Sequence, residues 1–177
     1  MDQLLKAMSQ IGQDSPIRWL ITKANADAGG AEINQKIDEW VARRPGRAIA
    51  FTSLGVKRYL SAMALAAVVV GNSSSGVVET PTFGVPTVNI GRRQEGRLIC
   101  ENVYCCPAEA GAITQALNRV LSPEFAARAR AAKSPYNGGD TSGRIVKILE
   151  EKLFEPGFGA PKGFYDGPVR LQGEETR

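Results

Sequence analysis

The sequence predicts an α/β fold in which helices cover both faces of a parallel sheet. Short apolar segments of strand length alternate with segments whose apolar residues recur at helical spacing. One strand segment, residues 66–71 (AAVVVG), is apolar on both faces, as a central parallel strand is. The length of 177 residues corresponds to one domain. These observations predict a Rossmann-like, doubly wound parallel sheet, in which ligands bind outside the carboxyl ends of the strands.

The first half of the chain alternates helix and strand patterns. Leu4, Leu5, Met8 and Ile11 form one apolar helical face, and Gly12 follows as a C-cap. The patterns after it predict a strand over 17–22, a helix over 33–41, a strand over 48–52, a helix over 56–63 and a strand over 66–71.

The second half begins with a short helix pattern over 75–83 that Gly84 ends. Strands are predicted over 86–90 and 102–106, and helices over 110–121, 125–133 and 142–154. Ile145, Ile148 and Leu149 form the apolar stripe of the last helix. Pro and Gly are frequent after Glu155, so we expect a domain over 1–155 and a loosely ordered tail over 156–177.

Composition argues against several classes of protein. The net charge of +4 is too small to indicate nucleic-acid binding. The longest apolar run, 62–70, has nine residues, whereas a bilayer span needs about 20. The N-terminus lacks the pattern of a signal peptide. We therefore expect a cytoplasmic protein with neither nucleic acid nor membrane as a partner.

The chain contains no histidine. This excludes Ser-His-Asp catalysis, Cys-His catalysis and His-bearing metal sites built from its own residues. Cys100, Cys105 and Cys106 form no CxxC pair, and their odd number predicts reduced, buried thiols. We expect neither a metal nor a cofactor.

The turn after the 66–71 strand has the composition of an anion-binding site. It carries the sequence NSSSG (72–76) and joins a buried strand to a helix, where backbone N–H groups and hydroxyls favour phosphate. Simple N-capping is the alternative, since Ser and Asn are common caps. Three serines exceed the need of one cap, so we favour ligand binding at Ser73, Ser74, Ser75 and Gly76.

Two charged features and one Gly-rich loop accompany this turn. Glu79 fits no capping box, and it either accepts hydrogen bonds from vicinal ribose hydroxyls or lies solvated in the first helical turn. The loop 91–97 (GRRQEGR) carries three arginines that either bind phosphate or form weak surface pairs; its place at the ligand edge favours binding. The loop 25–30 (NADAGG) reads as structural, with Asp27 as an N-cap.

These segments resemble the C-terminal domain of the hydrolysing UDP-N-acetylglucosamine 2-epimerases, a glycosyltransferase-B-like family. The matching text is NADAGG (25–30), VGNSSSGVVETPTFGVPTVNIGRRQEGR (70–97), SPYNGGDTSGRIVKIL (134–149) and KGFYD (162–166). The resemblance extends from about Leu4 to Asp166. NSSSG followed by GxRQxGR is specific, because glycosyltransferases of the same fold lack that combination.

The resemblance implies a role for each candidate residue. The serine turn, with Ser73 and Ser74, holds the phosphates of UDP. Glu79 binds the ribose, Arg93 reaches the ligand and Asn25 lies near the sugar. The uracil contacts come from the loop 53–55, which includes Leu54 and Gly55. The implied ligand is UDP-N-acetylglucosamine or UDP.

The implied reaction eliminates UDP with loss of the C2 proton, and water then adds to the glycal to release N-acetylmannosamine or a related amino sugar. The family's acid–base carboxylates lie in an N-terminal domain, and a histidine ends the strand just upstream of the segment matching Met1. We therefore expect no catalytic residue in this chain and no activity from it alone.

A central strand, the first in the order 3-2-1-4-5-6, is also expected upstream. Segments 17–22 and 66–71 must then pair directly or leave unpaired ladder groups, each costing about 1–3 kcal/mol if buried. We expect lower stability, dimerisation, or reliance on an N-terminal-domain partner chain. A stand-alone module that binds UDP or UDP-sugar without catalysis is the alternative function. A glycosyltransferase donor domain is a third, which NADAGG and the RQ motif argue against.

Overall fold

The computed structural model describes residues 1–11, 16–25, 28–161 and 163. The helices are α1 (Asp2–Ile11), α2 (Gly30–Ala42), α3 (Gly55–Leu65), α4 (Ser75–Val78), α5 (Thr80–Phe83), α6 (Ala110–Val120), α7 (Pro123–Ala131) and α8 (Thr141–Leu153). The strands are β1 (Trp19–Thr22), β2 (Ala48–Phe51), β3 (Val69–Gly71), β4 (Thr87–Ile90) and β5 (Val103–Cys106). Elements alternate as expected, and every strand pair is parallel, which confirms the predicted α/β class.

The strands form two separate sheets, of order β1-β2 and β3-β4-β5. Trp19 lies opposite Ala48 in the first sheet, and Val70 lies opposite Val88 in the second. Of the two expected outcomes for β1 and β3, direct pairing is therefore wrong. A cavity of about 580 Å³ lies between these two strands instead.

Helix α1 packs against both halves of this divided sheet. Its Ala7 is fully buried in a cluster with Val88 of β4 and Leu117 of α6. On its neighbouring face, Met8 packs in a second cluster with Trp40 of α2. The Trp40 Nε1–H also donates to the Leu5 carbonyl at 3.2 Å. The apolar side chains of α1 are therefore buried against both halves of the sheet.

Several boundaries differ from the sequence-based expectation. The helix predicted over 75–83 is two four-residue helices joined at Glu79, although Gly84 ends it in the left-handed region as expected. The first and third strands are shorter than predicted and begin at Trp19 and Val69. Gly12, predicted as a C-cap, lies outside the described residues.

The prediction of three buried thiols is wrong for Cys105, which is exposed, whereas Cys100 and Cys106 are buried. Because side chains alternate along a strand, the neighbours Cys105 and Cys106 point to opposite faces of β5, and only Cys106 of the two is covered.

The chain divides into two compact units, residues 1–137 and 138–177. In the second unit the Asp140 carboxylate caps α8 by accepting from the Gly143 N–H at 3.0 Å. The predicted apolar stripe of Ile145, Ile148 and Leu149 is present on α8, but each of its side chains is about half exposed. Among the described residues, no helix is long and apolar enough to cross a membrane.

Candidate functional site

The serine turn occupies the carboxyl end of β3. Gly71 ends the strand at a φ of +153°, a conformation that residues with a Cβ rarely adopt. Helix α4 follows at Ser75 and lies close to β4, since a Cβ on the buried Gly76 would come within 3.2 Å of the Thr87 Cγ2. Gly71 thus sets the direction in which the chain enters the turn, and Gly76 allows α4 to lie close to β4.

The hydroxyls of this turn do not cap the helix. Ser74 occupies the N-cap position of α4, but its side chain makes no capping hydrogen bond. The Ser73 Oγ accepts only a long contact, 3.4 Å, from the Ser75 N–H. The capping alternative therefore does not explain three serines, and ligand binding by Ser73, Ser74, Ser75 and Gly76 stays a prediction.

The arginine loop is tied to the serine turn. The Arg93 Nη1 donates to the Asn72 carbonyl at 3.1 Å, and the Gln94 Nε2 donates to the same oxygen at 2.8 Å. Arg92 instead pairs with Glu95 at 2.6 Å on the surface, which matches the alternative of a weak surface pair. Of these two neighbouring arginines, only Arg93 holds a cationic group beside the turn.

Glu79 lies at the junction of α4 and α5, seven residues after the serine turn begins at Asn72. Its Oε2 is buried and, within the described part of the chain, has no hydrogen-bond partner. A shielded carboxylate oxygen without a donor is available to a ligand hydroxyl.

A buried network of hydroxyls and one amide fixes this junction. The Thr80 Oγ1 donates to the Gly76 carbonyl at 2.8 Å and accepts from the Thr87 Oγ1 at 2.9 Å and the Asn102 Nδ2 at 3.0 Å. The Asn102 Nδ2 also donates to the Val85 carbonyl at 2.8 Å. The network holds α4 and α5 against β4. It thereby also fixes the backbone of Glu79, which joins the two helices.

Three predicted site residues, Leu54, Ser73 and Gly76, line the cavity between the two sheets. Gly55 follows Leu54 at a φ of +66°, and its N–H donates to the Ser53 Oγ at 3.2 Å. The loop predicted to contact uracil and the serine turn predicted to bind phosphate therefore border one cavity.

Asn25 is not brought to this cavity. Its side chain is exposed, and its carbonyl contacts Gly30, where a Cβ would lie 2.1 Å from that oxygen. This close approach explains why position 30 is a glycine: any larger residue would clash with the Asn25 carbonyl. Asp27 lies outside the described residues, and α2 begins after Gly29 at a φ of +81°.

Two polar residues near the site were not among the candidates. Asn89 is 5% exposed, lines the cavity and has an Oδ1 without a partner in the described structure. Gln94 is 3% exposed and joins the two loops. The signal for Asn89 was a polar residue inside the apolar strand text PTVNI, and the signal for Gln94 was its place beside Arg93.

The described residues contain no cluster of His, Cys, Asp and Glu able to hold a metal ion. Burial, together with the neighbouring Cys105, raises the pKa of the Cys106 thiol. The candidate residues therefore offer a ligand hydroxyls, backbone amides, the Glu79 carboxylate and the Arg93 guanidinium.

The sequence profile of the UDP-N-acetylglucosamine 2-epimerases matches residues 1–150. The chain belongs to this family. This confirms the resemblance on which the site residues were assigned.

Relatives of this epimerase-family chain are known from several bacteria. A GDP/UDP-N,N'-diacetylbacillosamine 2-epimerase (hydrolyzing) of Campylobacter jejuni is 39% identical over 122 residues, which are 69% of this chain and 30% of that protein. The polysialic acid biosynthesis protein P7 of Escherichia coli is 29% identical over 95% of this chain and 42% of its own length. A UDP-N-acetylglucosamine 2-epimerase of Neisseria meningitidis is 30% identical over 84% of this chain and 36% of its own length. The chain thus spans less than half of each relative.

The fold agrees with a crystal structure of a UDP-N-acetylglucosamine 2-epimerase. The match has a TM-score of 0.52 at 18% identity, and it covers 92% of this chain and 47% of that structure. The fold is therefore that of one part of a glycosyltransferase-B-like protein.

Proposed function

We propose that this chain is the UDP-sugar-binding half of a hydrolysing UDP-N-acetylglucosamine 2-epimerase. UDP would bind at the carboxyl edge of β2 and β3, between the serine turn and the loop that precedes α3. The predicted domain over 1–155, UDP binding, and dependence on an N-terminal-domain partner are all parts of this proposal. Two relatives that carry "hydrolyzing" in their names favour the hydrolysing type.

The observation that carries the proposal is the guanidinium of Arg93, held on the Asn72 carbonyl at 3.1 Å beside serines that cap nothing. A diphosphate needs a cation and several neutral donors, which Arg93, Ser73 and Ser74 supply together. When the C1–O bond breaks, its electron pair leaves with UDP. Donors already in place around the phosphates stabilise that charge without reorganising.

The other end of UDP fits the same edge. The unpartnered Glu79 Oε2 is suited to accept hydrogen bonds from the two ribose hydroxyls. Leu54 gives the cavity an apolar lining residue for the uracil ring, and Gly55 follows it in a left-handed turn.

Loss of the C2 proton needs a base, and departure of UDP needs charge neutralisation or an acid. The chain has no histidine, and none of the candidate site residues other than Glu79 is a carboxylate. Glu79 is assigned to the ribose. We therefore assign the acid–base groups to a part of the enzyme outside residues 1–177 and expect the chain alone to be inactive.

Calorimetric titration of the full chain with UDP tests the binding site. Binding is expected, and Ser74→Ala combined with Glu79→Ala should weaken it by at least tenfold, because charged and neutral hydrogen bonds are lost together. Glu95→Gln, an exposed carboxylate of the arginine loop, is the matched control and should leave affinity unchanged. Failure of the unaltered chain to bind UDP, or equal binding by the double variant, contradicts the assignment.

A second assay tests whether the chain is catalytically active by itself. The chain alone, incubated with UDP-N-acetylglucosamine, should release neither UDP nor N-acetylmannosamine. Clear turnover would show that the chain contains its own acid–base groups.

A further inference from the structure

Asn89 is an amide side chain buried within strand β4. It lies between Val88 and Ile90, and 5% of its surface is exposed. Its Nδ2 donates to the Cys105 Sγ at 3.5 Å, and its Oδ1 has no partner in the described structure. A buried amide with one weak bond to sulfur costs free energy relative to an apolar side chain of the same shape, so stability alone does not explain an asparagine at this position.

A second buried asparagine, Asn102, provides the comparison. Its Nδ2 donates to the Thr80 Oγ1 at 3.0 Å and to the Val85 carbonyl at 2.8 Å. Its Oδ1 is likewise unpartnered within the described residues, but those that line the cavity between the two sheets include Asn89 and not Asn102. The Asn102 amide is therefore explained by the bonds that hold the fold, whereas the Asn89 amide is directed at the edge that carries the candidate site.

No side chain of β3 separates Asn89 from the serine turn. Asn89 lies opposite Gly71 of β3 on one side and opposite Cys105 of β5 on the other. Since Nδ2 contacts the β5 side, the other end of the amide is directed toward the β3 side. Gly71 has no side chain there, and a Cβ placed on it would have no heavy atom within 4 Å outside the adjacent residues. Gly71, Ser73 and Asn89 all line the cavity.

Ser73 can connect the buried amide to a ligand. It is exposed, whereas the Asn89 Oδ1 is shielded from solvent. The Ser73 Oγ accepts one long contact, 3.4 Å, from the Ser75 N–H. A serine hydroxyl has two lone pairs and one proton, so Ser73 can accept a further hydrogen bond from behind and still donate its proton to a ligand.

The thiol of Cys105 allows the Asn89 amide two orientations. A thiol is both a weak donor and a weak acceptor, so it can accept from Nδ2 or donate to Oδ1. Half a turn about the Cβ–Cγ bond exchanges these two atoms in nearly the same space. The second orientation directs the N–H donors of Nδ2 toward the β3 side, and a bound anion favours it because donors then point along one line to the negative charge.

Given the phosphate site of the proposed function, we propose that Asn89 is a positioning residue that acts through Ser73. When a nucleoside diphosphate is bound, the Asn89 Nδ2–H donates to the Ser73 Oγ, and the Cys105 thiol donates to the Asn89 Oδ1. The Ser73 hydroxyl proton is then directed at a phosphate oxygen. Hydrogen bonds that run in one direction polarise one another, so the Ser73 donor is both oriented and strengthened.

A double-mutant cycle on the full chain tests the proposal, with UDP affinity measured by titration calorimetry. Asn89→Leu keeps the shape of the side chain and removes the amide, and it should weaken UDP binding about 2- to 10-fold, the worth of one hydrogen bond. Ser73→Ala should also weaken binding. In the Ser73→Ala chain, Asn89→Leu should cause no further loss, because the hydroxyl through which it acts is absent. Glu95→Gln is the control that leaves affinity unchanged.

Stability and side-chain amide NMR separate positioning from a role in the fold. In urea, the Asn89→Leu chain should be at least as stable as the unaltered chain, because the amide that it loses made one weak bond. Asn102→Leu, which loses two bonds of ordinary length, should be less stable. Addition of UDP should shift the side-chain amide resonances of Asn89, which are identified by their absence from the Asn89→Leu spectrum. If Asn89→Leu does not fold, Asn89→Ala takes its place in the cycle and in the spectrum.

Three results would overturn the proposal and leave the UDP site standing. The first is equal UDP affinity with and without the Asn89 amide, while Ser74→Ala combined with Glu79→Ala still weakens binding. The second is a cycle in which the losses add, since Asn89 would then act independently of Ser73. The third is a loss of stability in Asn89→Leu as large as that in Asn102→Leu. Failure of the unaltered chain to bind UDP would instead contradict the proposed function, and the role of Asn89 with it.

Discussion

The carbonyl oxygen of Asn72 accepts two hydrogen bonds from side chains of the next loop, and these contacts couple the serine turn to the arginine loop. Arg93 can serve both the carbonyl and a phosphate, because a guanidinium has five N–H donors. Gln94 is buried and donates only inward. We therefore expect Gln94 to position the turn and Arg93 to contact the proposed ligand.

Replacing Gln94 with Met tests this positioning role. Methionine has a similar length but cannot donate a hydrogen bond, so the Asn72 carbonyl loses one of its two side-chain donors. We expect the UDP dissociation constant to rise about 2- to 10-fold, the worth of one hydrogen bond. The comparison by titration calorimetry is with Glu95→Gln in the same loop. Unchanged affinity in a folded Gln94→Met chain would assign the positioning to Arg93 alone.

The adjacent thiols should differ in reactivity. Cys106 is buried and has a raised pKa, so at a given pH less of it is thiolate than of an unshielded thiol. Cys105, its neighbour on β5, is exposed. At about pH 8, iodoacetamide should modify Cys105 before Cys106 in the folded chain, as measured by tandem mass spectrometry. The rates should converge in concentrated urea; equal rates in the folded chain would contradict the burial of Cys106.

The short helices α4 and α5 are stabilised by buried hydrogen bonds rather than by their own length. Each has four residues, too few to be stable by helix propensity. Thr80 joins α4, β4 and the segment before β5 through its one hydroxyl.

Thr80→Val keeps the shape of the side chain and removes that hydroxyl. We expect a loss of about 1–3 kcal/mol in the free energy of unfolding, because the Gly76 carbonyl loses a donor and two side chains lose an acceptor. Urea denaturation measures it. Thr82→Val, at an exposed position of α5, is the matched control and should cost little. A Thr80→Val chain as stable as Thr82→Val would show that the network does not hold these helices.

The elements that could be predicted from sequence are those whose signal is local. The apolar face of α6 and the left-handed stop at Gly84 depend on neighbouring residues, and both are where their patterns indicate. The break at Glu79 between α4 and α5 was missed, because apolar spacing and the Gly84 stop were read as one helix.

The parts of the site that could not be predicted depend on contacts between elements. Gln94 meets Asn72 only because β3 and β4 are adjacent and end at the same edge. The pattern of residues 66–71 is that of a central strand, yet among the described residues β3 pairs only with β4 and is an edge strand. The apolar pattern indicates that a strand belongs in the interior of a sheet. Only the sheet topology shows whether it has a neighbouring strand on each side.

For the whole molecule, the divided sheet predicts uneven stability. The β1–β2 half is held by a small cluster of Leu5, Met8 and Trp40. The β3–β5 half has a larger cluster built on α6 and α7. No hydrogen-bonded ladder joins the two halves in the described residues, so they are connected by side-chain packing, through α1 and Trp19. The β1–β2 half should therefore open first.

The two tryptophans allow this to be measured, since Trp19 and Trp40 both lie in the weaker half. In the unmodified chain, tryptophan fluorescence should change at a lower temperature than the far-UV circular dichroism of the whole chain. We expect the first transition below about 45 °C, the lower end for mesophile domains. A monomer that melts in one transition at about 45–65 °C would contradict the reduced stability expected from the divided sheet.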